Sequence, residues 1–71
     1  MKKTIHSPMA GTIWKIVMAP GDSVDYGDTV AILESMKMEI PIEADNTGTI
    51  ASFLVKEGDV VDDGTPIAEL S

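Results

Sequence analysis

Apolar residues along this chain come in short runs, broken every few positions by Gly, Pro, Asp or Asn. Turn signals stand at Ser7-Pro8, Ala19-Pro20-Gly21-Asp22, Tyr26-Gly27-Asp28, Asp45-Asn46-Thr47-Gly48, Glu57-Gly58-Asp59 and Asp63-Gly64-Thr65-Pro66. Gly supplies positive φ, Pro fixes φ near −65°, and Asp or Asn side chains bond to nearby backbone. Between the turns lie Ile, Val, Thr and Phe, which suit a pleated surface. Short β-prone runs between frequent turns predict an all-β sandwich or barrel.

The pattern repeats. A shift of 37 lays residues 11–34 over residues 48–71, with identity at 10 of the 24 aligned positions. Gly11-Thr12-Ile13 matches Gly48-Thr49-Ile50, Gly21-Asp22 matches Gly58-Asp59, and Val24-Asp25 matches Val61-Asp62. Gly27, Ala31 and Leu33 match Gly64, Ala68 and Leu70, and Ile5 matches Ile42 at the same offset. Two copies are too few for a solenoid, which needs about three. They are expected instead to pack face to face as half-sandwiches related by a pseudo-two-fold axis. Ile13, Ile16 and Met18 correspond to Ile50, Phe53 and Val55, and these six are the expected core. The step from 13 to 16 breaks strict alternation, which predicts a β-bulge at Trp14 and Lys15.

Residues 30–40 are rich in helix formers. Two features oppose a helix. Met36, Met38, Ile40 and Ile42 recur every second position, the strand period, and Pro41 sits inside the run. The repeat decides: Val30-Ala31-Ile32-Leu33 aligns with Ile67-Ala68-Glu69-Leu70, a short strand after a Gly-Thr-Pro turn. The segment is therefore expected to form strand, tight turn near Met36-Lys37, then strand. That turn lacks the Gly or Asn that primed hairpin turns prefer. A residue other than Gly held there at positive φ is strained, and strain of this kind collects at functional positions.

Composition narrows the options. The 71 residues suffice for one domain, spanning 1–71. The chain has no cysteine and one histidine, so neither a disulfide nor a zinc site of the usual ligand types is expected. A net charge of −7 argues against nucleic acid and against anionic membrane surfaces. No apolar run approaches the roughly 20 residues of a membrane helix, and direct insertion is not expected. Met1-Lys2-Lys3 is not followed by the apolar stretch of a secretory signal. These features predict a cytoplasmic location, or the mitochondrial matrix if the domain comes from a larger organellar subunit.

At the predicted tight turn the chain reads Glu34-Ser35-Met36-Lys37-Met38-Glu39-Ile40. This resembles the attachment motif of the biotinyl domains, the biotin carboxyl carrier modules of biotin-dependent carboxylases, decarboxylases and transcarboxylases. Ser7-Pro8-Met9-Ala10-Gly11 looks like that family's first turn. Gly21-Asp22, Val24 and Gly27 look like its next loop, and Gly48, Gly58-Asp59, Val61 and Gly64 look like its second half. The resemblance implies a flattened barrel-sandwich of two four-stranded antiparallel sheets with the modified lysine in a hairpin turn. It implies covalent biotin on Lys37, recognition through Met36 and Met38, and Glu34 and Ser35 as further flanking positions. The implied partners are a biotin protein ligase, a biotin carboxylase and a carboxyltransferase. Ser35 departs from the Ala usual two places before the lysine, but it too is small. No protruding insertion follows Met18, which disfavours the bacterial acetyl-CoA carboxylase type and leaves the pyruvate, propionyl-type and decarboxylase systems open.

A lysine amine carries its proton at neutral pH, so the ligase must supply the deprotonation or stabilise the amine that attacks an activated acyl group. The resulting amide takes the net charge from −7 to −8. No nucleophile–base pair stands out, so an independent enzyme is not expected. The aspartates at 22, 25, 28, 59, 62 and 63 do not have calcium-loop spacing and are expected in solvated turns. His6 has no catalytic company and is expected to be an ordinary strand residue. Trp14, opposite Ala51 in the repeat, either covers one side of the sandwich or meets a partner. Two other functions compete: a lipoyl carrier on the same fold, whose lysine is usually flanked by Asp and small residues, and an unmodified adaptor sandwich, which usually has a helical hairpin at the lysine turn.

Overall fold

The computed structural model describes residues 3–71; Met1 and Lys2, the start of the basic N-terminal segment, lie outside the described residues. Eight strands run in order: β1 (Lys3–His6), β2 (Gly11–Ile16), β3 (Ser23–Val24), β4 (Thr29–Ser35), β5 (Met38–Glu43), β6 (Gly48–Phe53), β7 (Val60–Val61) and β8 (Pro66–Leu70). They form two four-stranded antiparallel sheets, β5-β4-β2-β7 and β1-β8-β6-β3. Among the described residues there is no helix.

The repeat of 37 governs the register. Ile13 faces Leu33 and Lys15 faces Ile32 in one sheet. In the other, Ile50 faces Leu70 and Ser52 faces Glu69. The shift at Trp14 is the expected bulge, and its counterpart falls at Ala51. The core follows the same rule. Ile5, Ser7, Ile13, Val24, Val30, Ala31 and Leu33 are buried, and so are Ile42, Ala44, Ile50, Val61, Ile67, Ala68 and Leu70, each 37 positions on. Ser7 is the one polar member, and its hydroxyl donates to the Met9 carbonyl at 2.7 Å, so burial leaves it satisfied.

The expected core was placed too far out along the strands. Ile13 and Ile50 are fully buried, but Ile16, Met18, Phe53 and Val55 are half-buried and pack against the core from its margin. Ile16 and Phe53 end their strands, while Met18 and Val55 lie beyond them. The facing sheet no longer covers them fully there.

Four tight turns of one design lock the halves together, at residues 19–22, 25–28, 56–59 and 62–65. In each, the last residue's N–H donates to the carbonyl of the first, at 3.0–3.1 Å. The side chains of Asp22, Asp28, Asp59 and Thr65 accept from the N–H of the first residue at 2.9 Å. The third residue is always Gly, at φ between 86° and 98°, as a type II turn requires. Asp22, Asp28 and Asp59 thus serve the turns through their carboxylates. Each turn also grips the opposite repeat. Gly21 N–H and Asp22 C=O bracket Ile50, while Gly58 N–H and Asp59 C=O bracket Ile13. Gly27 and Asp28 hold Ala44, and Gly64 and Thr65 hold Ser7, in the same way.

Candidate functional site

β4 and β5 form a hairpin closed by the pair Ser35 and Met38, with Met36 and Lys37 as its two-residue loop. Residues 30–40 are thus strand and turn, as the period-2 pattern and the repeat required. Both loop residues have positive φ, 52° at Met36 and 65° at Lys37, as a type I′ turn demands. They are the only residues other than Gly with positive φ among those described. For a side chain bearing a Cβ this conformation costs about 1–2 kcal/mol per residue. The sheet pays that cost: Glu34 with Glu39, Leu33 with Ile40 and Ile32 with Pro41 continue the ladder below the loop.

The loop stands clear of the body. Met36 is 90% exposed and Met38 60% exposed, and Lys37 is also exposed. Neither hydrogen bond nor ion pair holds the Lys37 side chain. The amine therefore projects from a fixed backbone position with its own torsions free. Two thioethers beside it offer apolar, polarizable contact to an incoming surface. Of the other expected site residues, Ser35 is half-buried at the base of the loop, and Glu34 is exposed on the outward side of β4. Glu39 was not singled out from the sequence, yet it lies directly across from Glu34. A two-residue loop centred on Met36-Lys37 forces that pairing, so the strand period could have revealed it. Like charges directly opposite disfavour the sheet, which leaves two carboxylates facing solvent beside the lysine. His6 is an exposed strand residue, and Trp14 is 47% exposed.

The site is a projection. No cavity lies among the described residues. An exposed primary amine at a rigid tip fits covalent attachment of a carboxylic acid through an amide, and the chain need supply no further ligand.

A family model described as "Biotin-requiring enzyme", the biotin/lipoyl family, matches residues 3–70. The chain is 50% identical over 68 residues to the Biotin/lipoyl attachment protein of Bacillus subtilis, covering 96% of this chain and 93% of that protein. It is 35% identical over 71 residues to the Biotinylated protein TB7.3 homolog of Mycobacterium leprae, across the full length of both. It superposes with a TM-score of 0.92 and 37% identity on part of the urea carboxylase of Kluyveromyces lactis, covering the whole of this chain but 6% of that one. With its eight-stranded double repeat and its lysine-tipped hairpin, the chain belongs to the biotin/lipoyl attachment-domain family.

Proposed function

We propose that the chain is a biotin carboxyl carrier and that biotin is attached to Lys37. The observation that carries this reading is the tip itself: an exposed, unengaged amine at positive φ between two exposed methionines. A ligase removes the proton from Nζ, and the amine attacks the carbonyl of an activated biotin acyl group. The new C–N bond forms as the activating group departs, and the product is an amide. When bound, biotin supplies the chemistry that takes up and gives up a carboxyl group; the chain supplies position. The four side-chain torsions of Lys37 lengthen the reach of the arm, while the hairpin fixes its origin. Tethering raises the concentration of the group at the partner sites above that of free biotin.

The partners in this reading are a biotin protein ligase, a biotin carboxylase and a carboxyltransferase, which divide the chemistry among them. The chain acts as carrier and not as catalyst. Methionines on both sides of the lysine support biotin over lipoate, and the intact two-residue hairpin supports a modified carrier over an unmodified adaptor. The test is co-expression with a biotin ligase, then intact mass and fragmentation. The reading expects one adduct, on Lys37. A lipoyl adduct, or an adduct on Lys2, Lys3, Lys15 or Lys56, would overturn it.

A further inference from the structure

The repeat provides an internal control for surface residues. The outward face of the lysine-bearing sheet carries Trp14, Ile32, Pro41 and Val60: each is exposed or half-exposed, beside a buried or inward-facing neighbour. Ile32 stands between Lys15 and Pro41 in the register, Trp14 sits in the bulge beside Lys15, and Val60 pairs with Thr12. The register-matched positions of the other sheet carry Ala51, Glu69, Thr4 and Ser23. The lysine-bearing face therefore holds four apolar side chains, set among Thr12, Lys15, Glu34 and Glu39, where the other face carries small or polar ones on the same backbone. The fold does not require the apolar set, since the second half is built without it. Val17 and Leu54, by contrast, are exposed to similar degrees at matched positions, which marks them as features of the fold.

We infer that this outward face, centred on Ile32 and Pro41 and flanked by Trp14 and Val60, is the docking surface for the enzyme that acylates Lys37. The inference rests on the proposed attachment at Lys37. Two observations select this occupant. First, the face continues from the hairpin. Ile32 and Pro41 pair three steps below Ser35 and Met38, about 10 Å at the strand rise. A standard interface of about 800 Å² per partner has a radius of about 16 Å, so an enzyme centred on the tip covers that pair. Second, the acylating enzyme must bring Nζ itself to its reacting atom, within the span of one lysine side chain. Later partners meet an arm lengthened by the attached group and can stand further off. Glu34 and Glu39 border the apolar strip on the lysine side, so the complementary enzyme surface is an apolar shelf with a basic edge beneath the tip.

The experiment transplants the second half onto the first. A triple variant, Trp14→Ala, Ile32→Glu and Val60→Ser, takes residues that the other sheet already carries at matched positions. A control variant, Ala51→Trp with Ser23→Val, makes the other face apolar. Each is biotinylated by a purified bacterial biotin ligase with ATP and biotin, and KM and kcat for the domain are measured beside thermal unfolding. The expected result is a KM raised tenfold or more in the triple variant, kcat within twofold of the parent, unfolding retained, and the control unchanged. The single variant Trp14→Ala, least able to disturb folding, should show the same direction, about threefold. An unchanged KM in a folded triple variant would overturn the inference, as would equal loss in the control. A dimer in sedimentation that the triple variant dissolves would also overturn it, assigning the face to a second copy. Failure of the parent domain to be biotinylated at all would instead sink the attachment at Lys37, so the two readings fail separately.

Discussion

The four glycine turns and the lysine hairpin are all tight turns with positive φ, yet they fill that conformation differently. At Gly21, Gly27, Gly58 and Gly64 the backbone adopts φ near 90° with no side chain to strain. At the hairpin tip, Met36 and Lys37 adopt positive φ with full side chains. The glycine turns serve shape alone, and their bonds bracket buried residues of the opposite repeat. The hairpin brackets nothing and presents its side chains to solvent. Where the fold's need is geometric, the chain uses the residue with the lowest cost. Where side chains must be displayed, it retains them against an unfavourable backbone.

That contrast can be broken at several points. The largest effect is expected at the tip: Lys37→Arg keeps charge and bulk but removes the acylatable amine, so streptavidin detection after ligase treatment should fall to background. Persistent labelling would place the attachment elsewhere. Next come the bracketed core residues. Ile13→Ala and Ile50→Ala should each cost about 2–5 kcal/mol, and by similar amounts, because both are fully buried and gripped by equivalent turns. Denaturant unfolding measures both, and a large inequality would mean that the halves are not energetically matched.

Smaller effects separate shape from display. Gly58→Ala places a Cβ where φ is 95° with open space around it, so only the backbone term should appear, about 1–2 kcal/mol of destabilisation. Met36→Gly runs the opposite way: it should stabilise by about 1 kcal/mol through relief of the positive φ, while modification of Lys37 slows. Stability and modification moving together in that variant would show that the methionine is held for the fold. Smallest of all, Met36→Leu and Met38→Leu should shift unfolding by no more than about 0.5 kcal/mol, since both side chains face solvent. Rates of biotinylation and carboxyl transfer should nonetheless fall.

The repeat made much of this legible in advance. An identity such as Gly11-Thr12-Ile13 with Gly48-Thr49-Ile50 places two strands in equivalent environments, and the 13-to-16 step announced the bulge. The tip was also legible, because Pro41 and the every-second-residue methionines excluded a helix there. Depth of burial was not. Alternation says which face Phe53 occupies, but not that its strand ends there and leaves the ring half-covered. An aromatic left partly in solvent loses less on truncation, so Phe53→Ala falls below the range of about 3–5 kcal/mol for a core aromatic. Nor did the strand pattern show that each turn clasps the other repeat. Those bonds join residues far apart along the chain, and backbone groups carry no signature in the side-chain pattern.

The reciprocal clasp has a kinetic consequence. Ile13 is held by residues 58 and 59, and Ile50 by residues 21 and 22, so neither repeat can complete its own hydrogen bonding alone. A chain cut in the link at residues 45–47 should yield two fragments that are unfolded apart and structured when mixed. In the intact chain, most native bonds wait on distant segments meeting, so the contact order is high for so short a sequence. Folding is therefore expected to be a single cooperative event on the millisecond-to-second scale of β-sandwiches and not the microseconds of a small helical bundle. Gly58→Ala and Gly21→Ala, measured by stopped-flow, would report how far each clasp has closed when the chain crosses its barrier.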